Sequence, residues 1–435
     1  MRGERRGCII RSKQKTNRKE RVAELTRQYD IPQTTVKAAW KRVKKNKGSA
    51  GVDGQTIKEF EEDLEKNLYK IWNRMTSGSY FPPPVRTVSI PKSSGGERML
   101  GIPTVSDRIA QQVAKTYLEP EVEKIFHEDS YAYRPGRSQE DALAKARQRC
   151  WKYNWCLEID IKGFFDNIDH DMMLELVQLH TTEKWVILYC ERWLKAGALK
   201  TDGTVEVGST GAPQGAVLSP VLSNIFLHHA FDMWMKEENS DAPFERFADD
   251  LLLHCITKKH AEGLKERIIQ RLKEWKLEIN ESKTRIVYCK DDVRPGDSDH
   301  TSFDFLGYTF RGRLAKNQKT NTLFIGFNPA ISRQSLLKIY EETRTWQLLK
   351  CVQESLDWVA EKINPAVRGW MNYYGKFYRS ELATLTWFLD GMLIRWALRK
   401  YKHLRKSWKR GSTWLAGIRS RTPHLFAHWP RRLAE

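Results

Sequence analysis

Apolar residues recur along this chain at two spacings, every second residue and every third or fourth, and the changes between them mark out its elements. Residues 1–20 are basic with few apolar anchors, so no packed element is expected there. Residues 22–42 read as a short helix, a turn at Ile31-Pro32 and a second helix. The stretch 46–54 is glycine-rich and turn-like, and a helical pattern follows to about Met75. Pro82-Pro83-Pro84 interrupts the chain, because proline fixes φ and donates no backbone hydrogen bond. Residues 85–90 then alternate as a strand, and Ser93-Ser94-Gly95-Gly96 closes a hairpin. Helices are expected over 106–126 and 139–151, with a loop at Arg134-Pro135-Gly136-Arg137-Ser138 between them.

A second strand is predicted at 156–161, followed by helical material to about 194. Gly211-Ala212-Pro213-Gln214-Gly215 is a tight loop opening an amphipathic helix over 218–236. Next, Phe247-Ala248-Asp249-Asp250 lies between Phe244-Glu245-Arg246 and Leu251-Leu252-Leu253, a hairpin with two carboxylates at its tip. A helix at 259–275, a strand at 285–288 and the run 303–308 complete an α+β region. From Ile331 onward the pattern is mostly helical, broken at Asn364-Pro365, and eight of the 16 Trp fall from Trp346 on. Trp346, Trp358 and Trp370, spaced by twelve on helical segments, read as core.

At 435 residues, 40% hydrophobic and 29% charged, the chain has the make-up of an ordinary globular protein of two or three domains. Its seven cysteines show no C-x-x-C pairing, which argues against a zinc or disulfide framework and fits a reducing cytoplasm. No apolar stretch approaches membrane-spanning length, and the basic N-terminus lacks the apolar core of a leader, so no membrane partner is expected. The net charge of +20 is concentrated at the ends. Residues 1–50 carry 16 Lys+Arg against 4 Asp+Glu, and residues 395–435 carry 12 against 1, while the 344 residues between them net −3. Such segregation points to a polyanion at both ends.

Two adjacent carboxylates repel, so a cation is expected beside Asp249 and Asp250. Asp160 follows an apolar strand in the same way. If the fold brings it to the pair, three carboxylates form a cage for two divalent metals, the equipment of nucleotidyl transfer. Lys92 and Arg98 stand on opposite arms of the 93–96 turn, positioned either to close on a triphosphate or to sit solvated on a hairpin. Phe165 reads either as a ring packing under a nucleotide sugar or as core. Gln214 is a candidate nucleotide contact or a helix-start turn residue, and Lys283 a phosphate partner or a surface lysine. Arg134 and Arg137 are candidate nucleic-acid contacts. So are Arg405, Lys406, Trp408, Lys409 and Arg410, where an aromatic ring sits among cations and stacking can accompany phosphate binding.

Taken in order, several blocks resemble the bacterial group II intron-encoded reverse transcriptases, or intron maturases. They are Ala50-Gly51-Val52-Asp53-Gly54, Ile90-Pro91-Lys92 through Arg98-Met99-Leu100-Gly101-Ile102-Pro103, and Tyr133 to Ser138. Next come Asp160-Ile161-Lys162-Gly163-Phe164-Phe165-Asp166, Pro213-Gln214-Gly215 through Leu218-Ser219-Pro220, Phe247 to Asp250, Asn280 to Thr284, and Phe305-Leu306-Gly307-Tyr308. The stretch Ile363 to Tyr374 looks like the maturase-specific thumb.

The resemblance implies a right-hand polymerase of fingers and palm with antiparallel sheet, followed by an α-helical thumb. The expected division is 1–45 basic extension, 46–320 fingers and palm, 321–400 thumb, and 401–435 basic nucleic-acid-binding segment. It implies RNA-directed DNA polymerization with two Mg²⁺ on Asp160 and Asp249, Asp250 assisting and the Ile161 carbonyl adding a ligand. Lys92, Arg98 and Gln214 would hold the dNTP and Phe165 would exclude a 2′-hydroxyl. Structured intron RNA, an RNA template with a DNA or RNA primer, and target DNA are the implied partners; monomer and homodimer both stay open. Two departures stand out: Phe247 where the family commonly has Tyr, and Ala216 where a second glycine is commoner. No cysteine pairs of an HNH endonuclease occur, so DNA cleavage is not expected. The rivals are a splicing-only RNA-binding maturase, which the intact aspartates oppose, and a free-standing reverse transcriptase in defence or DNA repair.

Overall fold

The computed structural model describes residues 27–91, 97–200, 202–317 and 319–429. Lys92, the turn at 93–96 and the basic stretch 1–26 lie outside these. In chain order the strands are β1 (Val85–Pro91), β2 (Glu97–Ile102), β3 (Trp155–Asp160), β4 (Ala198–Leu199), β5 (Val205–Glu206), β6 (Phe244–Phe247), β7 (Asp250–Cys255), β8 (Arg285–Tyr288), β9 (Ser302–Phe305), β10 (Tyr308–Lys316) and β11 (Leu323–Ile331). Helices fill most of the rest, so the fold is a mixed α and β one in which all strand pairs given by register but one are antiparallel.

The chain folds as two compact units. The first comprises 1–135, 160–240 and 267–280. Its sheet has the order β2-β1-β4-β5, the parallel contact being β1 with β4. The helix Val105–Glu123 runs through its interior, capped by Thr104, with an almost unbroken buried stretch from Val105 to Ala114. The expected amphipathic helix over 218–236 is corrected on two counts. Ser219–Leu227 is buried nearly throughout, and the chain then widens into a π turn at His228–Asp232 before Met233–Glu238 resumes.

The second unit comprises 136–159, 241–266 and 281–435 and holds two sheets, β6-β7-β3-β8 and β11-β10-β9. The β9–β11 sheet was not expected, since its strands carry interior Arg and Gly that blur the alternation. The expected break at Asn364-Pro365 does not occur: one helix spans Leu356–Tyr374. Its buried residues Val359, Ile363, Val367 and Met371 recur every four positions straight across Pro365. The Asn364 side chain donates to Leu425 O at 2.8 Å and accepts from Ala427 N at 2.9 Å, tying the weakened turn to the C-terminal segment. As expected, Trp346, Trp358 and Trp370 pack on the helical core, with the rings of Trp346 and Trp370 stacked 5.6 Å apart.

Candidate active site

The hairpin is built as the hydropathy implied. β6 and β7 pair antiparallel with Phe247 opposite Asp250, leaving Ala248 and Asp249 as a two-residue turn. Ala248 adopts φ +57°, a conformation that costs a non-glycine residue about 1 kcal/mol. Such a turn matches the twist of paired strands. Asp249 is half-buried and Asp250 exposed, while Leu251 to Cys255 are buried behind them. In the sheet, β3 lies between β7 and β8, so the strand that ends in Asp160 neighbours the strand that Asp250 opens. The Asp160 carbonyl accepts from Asn280 N at 2.7 Å, and Ile161, buried, bridges Ile279.

The hairpin also carries a cation that the sequence reading did not single out. Arg246 is fully buried, and its Nη1 donates to the Ala248 carbonyl at 3.4 Å. A charged residue inside the apolar strand Phe244-Glu245-Arg246-Phe247 was the available signal.

In the first unit, Arg98 and Gln214 come together: Arg98 Nε donates to the Gln214 side-chain oxygen. The Gln214 carbonyl accepts from Gly101 N at 2.8 Å, which ties the loop to β2. Gly215 is required here. Its φ is +109°, and a Cβ would lie 2.9 Å from the Gly101 carbonyl oxygen. Phe165 is buried, edge-on to Phe164 at 5.4 Å, and its carbonyl accepts from Ala212 N at 2.7 Å in the same loop. Phe165, Arg98 and Gln214 are thus linked through one loop.

The loop has a second support that the sequence did not flag. Gln111 Oε1 accepts from Val217 N at 2.8 Å and Leu218 N at 3.3 Å, and its Nε2 donates to Asp107 at 2.9 Å. Asp107 also receives Tyr80 Oη at 3.0 Å and Trp193 Nε1 at 2.7 Å. Burial dominates these three donors and pushes its carboxyl from 3.8 up to about 6.

One expectation is corrected. Arg134 was a nucleic-acid candidate, but its side chain is only 4% exposed. Its guanidinium is held by Glu123 at 2.6 Å and by the carbonyls of His127 at 2.6 Å and Ser130 at 2.7 Å. It is committed to holding its own loop. Arg137, Lys283, Arg405, Lys406, Lys409 and Arg410 are exposed, and Trp408 is 51% exposed at the start of the helix Trp408–Arg421. No helix among the described residues is long and apolar enough to cross a membrane.

Residues 90–310 match the family described as reverse transcriptase (RNA-dependent DNA polymerase), and residues 336–414 match the group II intron maturase-specific domain. Among curated proteins, the group II intron-encoded protein LtrA of Lactococcus lactis subsp. cremoris is 32% identical over 254 residues, 57% of this chain and 42% of that protein. Protein YkfC of Escherichia coli K12 is 30% identical over 314 residues, 63% of this chain and 79% of that one. The chain therefore spans less than half the length of the Lactococcus relative. A telomerase structure from Candida albicans aligns at a TM-score of 0.44 and 13% identity, over 87% of this chain and 68% of that one. Reverse transcriptases generally use divalent metal ions. With a match spanning residues 90–310, more than half of its length, the chain belongs to the reverse transcriptase (RNA-dependent DNA polymerase) family.

Proposed function

We propose that this protein is an RNA-directed DNA polymerase of a group II intron that also serves as maturase in splicing and mobility. The observation that carries the reading is the two-residue Ala248-Asp249 turn on a strand adjoining the one that ends in Asp160. Asp160, Asp249 and Asp250 form a hard-oxygen donor set suited to two Mg²⁺, with the Ile161 carbonyl as a further donor. Ions held there stabilise charge at the reacting phosphate and favour ionization of the primer 3′-hydroxyl. Arg246 fixes the turn from beneath. Arg98, held against Gln214, presents planar donors to a triphosphate, joined by Lys92 and Lys283. The Phe165 ring closes the sugar side against a 2′-hydroxyl.

Residues 46–320 act as fingers and palm. Residues 321–400 act as the thumb and 401–435 as a basic nucleic-acid-binding segment; the maturase-specific match over 336–414 supports a maturase thumb in this region. Arg137 and the segment Arg405, Lys406, Trp408, Lys409 and Arg410 contact nucleic acid: structured intron RNA, template with primer, and target DNA. The buried cysteines suit a reducing cytoplasm. The maturase-specific match favours an intron-borne role over a free-standing one.

The test is primer extension on an RNA template with dNTPs and Mg²⁺. Asp249→Ala is expected to abolish cDNA synthesis while leaving intron RNA binding within about twofold. Normal extension by this variant would refute the site, and loss of RNA binding in the wild type would refute the maturase role.

A further inference from the structure

Behind the hairpin, three elements of the second unit bring soft donors together. Cys150 comes from the helix Gln139–Lys152, Cys156 from β3, and His254 from β7. All three are fully buried, and their ligand atoms lie within 4.8 Å of one another. Cys156 Sγ stands 3.9 Å from His254 Nδ1. A tetrahedral zinc with ordinary Zn–S and Zn–N bonds would set that pair about 3.6 Å apart. Cys289, just past β8, is also fully buried, but its sulfur is not among the three ligand atoms that meet within 4.8 Å. C-x-x-C spacing never hinted at this, since the donors come from three separate elements.

The surroundings are arranged as a metal site needs. The other nitrogen of His254, Nε2, lies 2.7 Å from Glu245 Oε2, so Nδ1 is aimed at the thiols. Glu245, also fully buried, is in turn held by Arg149 Nη1 at 2.6 Å. A carboxylate that fixes the far nitrogen of a histidine is the usual outer partner of a zinc ligand. Arg294 Nη1 donates to the carbonyls of Cys150 at 2.8 Å and Cys289 at 2.6 Å, so one guanidinium clamps both backbones. The charges also close. Two thiolates neutralise a divalent ion, and Glu245 neutralises Arg149, so a loaded site would carry little net charge in a dry interior.

We propose that Cys150, Cys156 and His254 hold a structural zinc ion that braces the helix Gln139–Lys152 against β3 and β7. The proposal is independent of polymerase activity. Zinc binds thiolates and releases their protons, so loading will weaken at low pH.

The test is metal analysis of the full-length protein produced with zinc and dialysed against a weak chelator. One zinc per chain is expected. Replacement by Co²⁺ should give thiolate-to-cobalt charge-transfer absorption. Cys150→Ala and Cys156→Ala are expected to lose both signals, and Cys351→Ala, outside the cluster, to keep them. A folded wild-type protein with no zinc above background and no charge-transfer band with Co²⁺ would overturn the proposal. So would a Cys150–Cys156 disulfide found by mass spectrometry. Both readouts on the wild type hold even if the variants fail to fold.

Discussion

Gln111→Leu offers a sharp test of how the Gln214 loop is held. The replacement keeps roughly the volume of a 2%-exposed side chain but removes every polar contact it makes. Val217 N and Leu218 N lose the acceptor they share, and Asp107 loses one of three donors. An orphaned buried donor costs about 1–3 kcal/mol. Two amides sharing one acceptor, with a carboxylate partly stripped, put the loss at about 2–4 kcal/mol. The loop would also drift, because Gly101 holds it at Gln214 and Gln111 holds it at Val217 and Leu218. Gln214 and Arg98 would then be misplaced together, and the KM for dNTP should rise about tenfold with a smaller change in kcat. Urea denaturation reads the first effect and steady-state primer extension the second. A stability change below about 0.5 kcal/mol with an unchanged KM would refute the argument.

Phe165→Ala is expected to admit ribonucleotides. Because the ring is buried, it should also cost about 3 kcal/mol of stability, so the measured quantity is the ratio of rNTP to dNTP incorporation, which is insensitive to the folded fraction. An unchanged ratio rejects the gate. Arg134→Lys should destabilise by about 3 kcal/mol, because lysine cannot bridge Glu123 and two carbonyls, and should leave the salt dependence of RNA binding untouched. A shallower salt slope would return Arg134 to the nucleic-acid surface. Asp107, at about 6 in the fold against 3.8 in the open chain, favours its protonated form in the native state. Its ionization therefore removes up to about 3 kcal/mol of stability as pH rises from about 4 to 6. Asp107→Asn should lose that slope in denaturation midpoints measured across the window; an identical slope would assign it to other groups.

What the sequence disclosed was local and periodic. The hairpin around Asp249, the strand ending at Asp160 and the helix from Gln139 all follow from residue spacing and short-range caps, such as the Ser138–Asp141 capping box. What it concealed depended on partners far along the chain. Arg134 in an Arg-Pro-Gly-Arg loop looks like a surface cation, and only the return of Glu123 and two carbonyls makes it internal. Pro365 looks like a helix end, yet an apolar stripe of period four and the Asn364 latch outweigh one missing N–H. The same contrast explains Asp249 and Asp250. Their repulsion was legible from two adjacent letters, but the cation nearest in sequence, Arg246, would have been dismissed as outward-facing on a half-exposed strand. β6 is buried on both faces, as the full burial of Glu245 and Arg246 shows, so alternation no longer separates inside from outside. In such a strand a charged residue has to be held by other buried groups. Arg246 turns back to the Ala248 carbonyl of the hairpin turn, and Glu245 turns to His254 and Arg149 beside the cysteines. Two neighbouring charges in one short strand thus serve two different sites, one on each face of the sheet.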